Sequence, residues 1–156
     1  MRVLFVCMGN ICRSPTAVGV FRRLLEQEAP EFEVTVDSAG THGYHAGQPP
    51  DRRAQAAARS RGIDLSKLRA RAVRDEDFVS YDFILAMDSD NHAMLLERCP
   101  EASVSRVKML MEFAGDGAPR DVPDPYYGSA NGFERVLDLV ERACRGLLAE
   151  LRKRAP

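Results

Sequence analysis

An apolar run, Val3 to Val6, ends at Cys7, and six residues later comes Arg13-Ser14-Pro15, the opening of a helical pattern. A short apolar run before a turn reads as a buried strand. Ser14 suits a helix N-cap and Pro15 a first helical turn. Cys7 and Arg13 therefore stand at the two ends of one tight loop between a strand and a helix. That geometry is suited to holding a tetrahedral oxyanion. The N–H groups of Met8, Gly9, Asn10, Ile11, Cys12, Arg13 and Ser14 can converge on a tetrahedral oxyanion as a nest. The helix start adds the positive end of its dipole. Arg13 can offer two parallel charge-assisted hydrogen bonds. Cysteines at such helix starts are the reactive ones, and a thiolate beneath a bound phosphoryl group is an in-line nucleophile. Alone, Cys7 would read as a small buried residue ending a strand; the Cys-x5-Arg-Ser-Pro spacing changes that reading.

A thiolate that displaces an alkoxide or phenoxide from phosphorus needs an acid to protonate the leaving group, an effect worth about 10²–10⁴-fold. Asp124, in Asp124-Pro125-Tyr126-Tyr127, fits: Pro125 stiffens the loop and the tyrosines exclude water. Asp121 and Asp88 are competing acids that the sequence alone does not eliminate.

The pattern along the chain alternates strands and helices. The sequence predicts a helix over Ser14–Ala29, a second strand over Phe32–Asp37 and a long loop over Ser38–Pro50. A helix follows over Asp51–Arg61, closed by Gly62, then an irregular basic stretch, Leu65–Arg74, and a short helix over Asp75–Ser80. Strand three is Tyr81–Ala86. Met87-Asp88-Ser89 caps a helix over Asp90–Arg98, and strand four spans Ser103–Leu110. After a polar, Gly- and Pro-broken stretch, apolar residues from Phe133 to Leu151 keep helical spacing, with Asn131 and Glu134 placed for a capping box. Strands alternating with helices imply an α/β fold with a parallel sheet covered on both faces. In such folds ligands bind beyond the C-terminal ends of the strands, where the Cys7 loop emerges.

With 22 Lys and Arg against 23 Asp and Glu, the net charge of −1 pulls the chain neither to nucleic acid nor to membrane. No apolar run is long enough to span a bilayer, and the N-terminus has no signal-peptide pattern. The expectation is one domain over residues 1–156, located in the cytoplasm. The four cysteines, Cys7, Cys12, Cys99 and Cys144, complete neither a Cys-x-x-Cys pair nor a zinc set, so no metal is expected.

Along nearly its whole length the sequence resembles the low-molecular-weight protein tyrosine phosphatases. The resemblance rests on Cys7-Met-Gly-Asn-Ile-Cys-Arg-Ser-Pro15, Asp37-Ser38-Ala39-Gly40, Ala86-Met87-Asp88 with Asn91, and Asp124-Pro125-Tyr126-Tyr127. It implies a three-layer sandwich whose four-stranded parallel sheet has the order 2-1-3-4. It implies a cysteinyl-phosphate on Cys7, oxyanion binding by Arg13 and the loop amides, and Asp124 as acid and then base. No cofactor is implied. Asn10, Ser14 and Ser38 would brace the loop, and Asp88 would be a structural acid near Arg13. Met8, Ile11, Tyr44, Tyr126 and Tyr127 would wall a pocket deep enough for a phosphotyrosine ring. Cys12 would trap oxidised Cys7 as a reversible disulfide. The implied partners are tyrosine-phosphorylated proteins, with inorganic phosphate as product and a monomer that at most self-associates weakly.

The chain departs from the pattern once. Relatives often carry a histidine in the basic loop, where this chain reads Ser66-Lys67-Leu68-Arg69. The hydrogen bond it would give to Asn10 must come from elsewhere or be absent. Three other readings compete. Arsenate reductases of this fold need a further redox cysteine pair in mid-chain, where only Cys99 stands. Arginine phosphatases on this scaffold favour Thr where this chain has Ile11. A non-catalytic phosphate-binding domain would lack a nucleophile or an acid.

Overall fold

The structure is a computed structural model that describes residues 1–128 and 131–155. Four parallel strands, β1 (Arg2–Cys7), β2 (Thr35–Gly40), β3 (Phe83–Ala86) and β4 (Val107–Met109), form one sheet in the order β2-β1-β3-β4. The helices are α1 (Arg13–Glu28), α2 (Arg52–Ser60), α3 (Asp77–Ser80), α4 (Ser89–Arg98) and α5 (Asn131–Arg154).

Strand alternation divides the core between the two faces. Val3 and Phe5 of β1 join α1 residues Val18 and Phe21 and α5 residues Val140 and Leu147 in the larger cluster. Leu4 and Val6 point the other way, into a cluster with Phe78 and Leu95. Burial of β1 on both faces is what an unbroken apolar strand in a parallel sheet requires.

Three expected elements lie elsewhere. The second strand is Thr35–Gly40 and not Phe32–Asp37: it pairs residue for residue with Arg2–Cys7, so that Gly40 sits beside Cys7. Phe32 and Val34 instead pack against the larger core before the strand begins. Ser38, Ala39 and Gly40 thus belong to the strand and not to the following loop. A side chain at Gly40 would meet the Met8 carbonyl oxygen at 2.7 Å, so only glycine lets β2 run this close to the Cys7 loop. The fourth strand is only Val107–Met109, because Glu101–Arg106 winds into a 3-10 helix after Pro100. Ser14 is not the cap of α1; Cys12 holds that position and makes no side-chain capping bond. The cap position of α5 lies outside the described residues, and the Glu134 carboxylate pairs with Arg61 at 2.6 Å.

Among the described residues no helix is long and apolar enough to cross a membrane.

Candidate active site

The loop from Cys7 to Arg13 is shaped by what takes its carbonyls. Thr41 N–H donates to the Cys7 oxygen at 2.9 Å, His42 N–H to Met8 at 3.0 Å, and Asp51 N–H to Ile11 at 2.8 Å. With its carbonyls drawn outward, the loop leaves its N–H groups for the interior. The uncapped first turn of α1 adds more free donors at the same place.

Asn10 holds this shape. It is the one non-glycine residue at positive φ among those described, at 58°, a conformation asparagine tolerates better than most residues. Its Nδ2 donates to Ser14 Oγ at 2.7 Å and to Ser38 Oγ at 2.9 Å. Its Oδ1 accepts from the backbone N–H of Arg71 at 3.0 Å. The bond that the missing histidine would have supplied therefore comes from a main-chain group, which leaves no side-chain signature in the sequence. Ser14, wholly buried, places Oγ 3.0 Å from Cys7 Sγ, and Asn10 N–H donates to the same sulfur at 3.3 Å.

Arg13 is almost fully buried. Its Nη1 donates to Asp88 Oδ2 at 2.6 Å and to the Val122 carbonyl at 3.0 Å. Burial opposes its charge, but a Cys7 thiolate and the Asp88 carboxylate outweigh burial and raise its pKa. Asp88 also caps α4, accepting from Asn91 N–H at 2.8 Å. Asp88 thus orients Arg13 from behind.

A cavity of about 300 Å³ opens over the loop, lined by Cys7, Met8, Gly9, Ile11, Cys12, Arg13, His45, Asp124, Tyr126 and Tyr127. Of the three competing acids only Asp124 lines it. Its Oδ2 stands 3.6 Å from Arg13 Nη2, and its Oδ1 accepts from Tyr126 N–H at 3.0 Å. Asp121 turns instead to Ser89.

The expected lining by Tyr44 is corrected. That ring is 72% exposed, stacks on His42 with centroids 5.1 Å apart, and is not among the cavity residues. His45, which the sequence reading passed over, lines the cavity in its place, with its ring 6.5 Å from that of Tyr126 and Nδ1 3.2 Å from Gln48 Oε1. A lone histidine in a polar loop carries no periodic or motif signal, so only the fold could reveal it. Arg53 was missed for the same reason. Its guanidinium lies 5.5 Å from the Tyr126 centroid and 4.9 Å from that of Phe133. It is held there by Asp51, with Nε 3.1 Å from Oδ1 and Nη2 2.9 Å from Oδ2.

A family model described as low molecular weight phosphotyrosine protein phosphatase matches residues 2–156. The chain belongs to this family. A human relative, named low molecular weight phosphotyrosine protein phosphatase, is 41% identical over 149 residues, covering 94% of this chain and 92% of that protein. The low molecular weight protein-tyrosine-phosphatase of Bacillus subtilis is 40% identical over 151 residues, 97% and 96% of the two chains. A solved protein tyrosine phosphatase from Entamoeba histolytica, with Hepes in its active site, superposes with a TM-score of 0.94 at 41% identity, covering 98% of this chain and 97% of that one.

The remaining cysteines sit away from the phosphatase-family loop. Cys144 is fully buried in the larger core on α5, and Cys99 packs at the end of α4 against the smaller core. Burial pushes both thiols up. Neither lines the cavity. Among the described residues no group of three or more His, Cys, Asp and Glu is placed to hold a metal ion.

Proposed function

We propose that residues 1–156 act as one domain that hydrolyses phosphotyrosine in proteins, and other aryl phosphates, through a phosphocysteine on Cys7. The observation that carries the reading is that Cys7, Arg13 and Asp124 line one cavity, while the rival acids Asp88 and Asp121 do not.

The phosphate group of the substrate enters the nest formed by the amides of Met8 to Ser14. Arg13 binds two of its oxygens in the bidentate manner suited to a planar guanidinium. The Cys7 sulfur attacks phosphorus from below. The S–P bond forms as the P–O bond to the aryl group breaks, and Asp124 passes its proton to the departing phenoxide. Ser14 Oγ, beside the sulfur, helps it carry negative charge. In the second step Asp124, now a carboxylate, takes a proton from water. The hydroxyl attacks phosphorus, the S–P bond breaks, and inorganic phosphate leaves. Each proton moves through Asp124, so no further cofactor enters the scheme.

The aryl preference is supported by the cavity walls. Met8, Ile11, His45, Tyr126 and Tyr127 stand above the loop. They offer flat, largely apolar surface to a ring, while a phosphoserine side chain would leave them wet. Both Cys12 and Cys7 line this cavity, and a reversible disulfide between them after oxidation is part of the proposal.

Parallel assays with phosphotyrosine, phosphoserine and phosphoarginine peptides in EDTA test the reading. Release of phosphate from phosphotyrosine at least about tenfold faster than from the others is expected. Preference for phosphoarginine, or release of no phosphate from any of them, would overturn it.

A further inference from the structure

Asp124 stands in a stretch with no helix or strand of its own, so something must hold its carboxylate over the cavity. Resting on the assignment of Asp124 as the acid, we infer that Asp121 is the residue that positions it, through a clasp on Ser89 at the start of α4. Asp121 Oδ1 accepts two hydrogen bonds from Ser89, from the backbone N–H at 3.1 Å and from Oγ at 2.9 Å. The carboxylate thus meets the positive end of the α4 dipole.

The next residue continues the attachment. Val122 N–H donates to the Met87 oxygen at 2.8 Å, and the Val122 oxygen accepts from Arg13 Nη1 at 3.0 Å. Val122 is fully buried. Asp124 then lies between Pro123 and Pro125, whose rings fix their own φ angles and restrict the residues before them. A segment pinned at residues 121 and 122 and stiffened on both sides of 124 has little freedom to swing its acid away. The first turn of α4 carries the other half of the site as well, since its cap Asp88 holds Arg13. The oxyanion-binding cation and the acid therefore share one mount, and their spacing is set by a helix and not by a loop.

The role belongs to the acceptor oxygen of Asp121 and not to its proton. Asparagine keeps that oxygen, alanine removes it. On the other side, Ser89→Pro deletes both donors at once. Proline is accepted at the first helical position, and Asp88 before it is already extended, at φ −145° and ψ 174°, as a residue preceding proline must be.

The test compares kcat/KM, which reports the steps through P–O cleavage and not the later hydrolysis, on phosphotyrosine and on 2,4-dinitrophenyl phosphate, whose leaving group needs no proton. A displaced acid should forfeit part of the roughly 10²–10⁴-fold that protonation supplies. Asp121→Ala and Ser89→Pro are expected to slow phosphotyrosine about tenfold or more. They should change dinitrophenyl phosphate kcat/KM less than about twofold, with vanadate inhibition unaltered. Asp121→Asn should restore most of the phosphotyrosine rate. If Asp121→Ala and Ser89→Pro keep the wild-type ratio of the two substrates, the clasp has no such role, whatever Asp124 does. If Asp121→Asn is as slow as Asp121→Ala, the acid proton is that of Asp121, and both the clasp and the Asp124 assignment fall. If Asp124→Ala itself leaves the ratio unchanged, the assignment of Asp124 fails on its own evidence and the clasp with it.

Discussion

The backbone N–H of Arg71 donates to the side-chain oxygen of Asn10 across 3.0 Å, joining residues 61 positions apart. Arg71 is itself fixed. Its guanidinium is bonded to Asp77 at 2.9 and 3.2 Å and to Asp37 at 3.3 Å. Burial opposes its charge, and the Asp77 bonds and Asp37 outweigh that and raise its pKa. The loop conformation is therefore secured from β2 and α3 through one asparagine.

Asn10→Ala should remove two buried hydrogen bonds, a third that is part-buried, and the residue best suited to the local φ of 58°. A loss of about 2–3 kcal/mol of stability is expected. Inhibition by inorganic phosphate should weaken at least about tenfold, since the amides no longer converge. Chemical denaturation and phosphate inhibition check the two effects separately. Asp77→Asn breaks a part-buried pair from one side while Asp37 stays on Arg71, and should cost about 1–3 kcal/mol, with a smaller effect on phosphate binding.

Asp124→Ala should lower kcat/KM on phosphotyrosine by about 10²-fold or more and spare kcat/KM on substrates with very acidic leaving groups. A plot of log kcat/KM against leaving-group pKa, shallow in the wild type, should turn steep in the variant. Equal losses across the series would mean that Asp124 does not deliver the proton.

Arg53 braces Tyr126 by lying across its ring. Arg53→Ala should raise KM for phosphotyrosine about two- to fivefold and leave phosphate inhibition untouched, because the anion nest does not include this side chain. The hydrogen bond from Arg53 holds Asp51 below the usual carboxylate range. The contribution of this pair is complete above the ordinary aspartate value of about 3.9 and fades only as the pH falls through the lower folded value. The KM ratio of variant to wild type should accordingly be constant from about pH 5 to about pH 7.

Much of this site could be read from the chain alone because its parts are local. Cys7, Arg13 and the intervening loop lie within a single strand-to-helix connection, and Asp124 is flagged by its prolines and tyrosines. The alternation of strands and helices gave the layers. What escaped was whatever depends on a distant partner. β2 starts three residues later than its β-branched pattern suggested, since pairing with β1 and the approach of Gly40 to Met8 decide its register. Ser14 looks like a cap in sequence, but Asn10 and Cys7 engage its hydroxyl. His45 replaces Tyr44 in the cavity because a turn of the loop, not residue type, selects which ring faces inward.

Burial, reinforced by Asp51, pushes the Cys12 thiol up, and in the proposed redox guard Cys7 meets an oxidant first. The Cys7 thiolate attacks peroxide, giving a sulfenic acid and hydroxide; Cys12 then attacks the sulfenic sulfur, forming the disulfide and releasing water. Peptide mapping after brief peroxide treatment should find Cys7 joined to Cys12, with Cys99 and Cys144 reduced. A Cys12→Ser variant should lose activity irreversibly. A Cys7 sulfinic acid in the wild type, with no disulfide, would refute the guard. The raised Cys12 and Cys144 thiols also set an alkaline limit. Unfolded cysteines ionise above about pH 8.5 while these do not, so stability is full below that pH and declines above it, which thermal melts across pH will register.

The proposed hydrolysis passes through a covalent bond between phosphorus and Cys7. Rapid acid quench of the enzyme during turnover of a ³²P-labelled phosphotyrosine peptide measures it directly. Label on the peptide that contains Cys7, reaching a steady fraction of enzyme within the first turnovers and absent from Cys7→Ser, is the predicted result. Turnover that persists in Cys7→Ser, or label on any other residue, would contradict it.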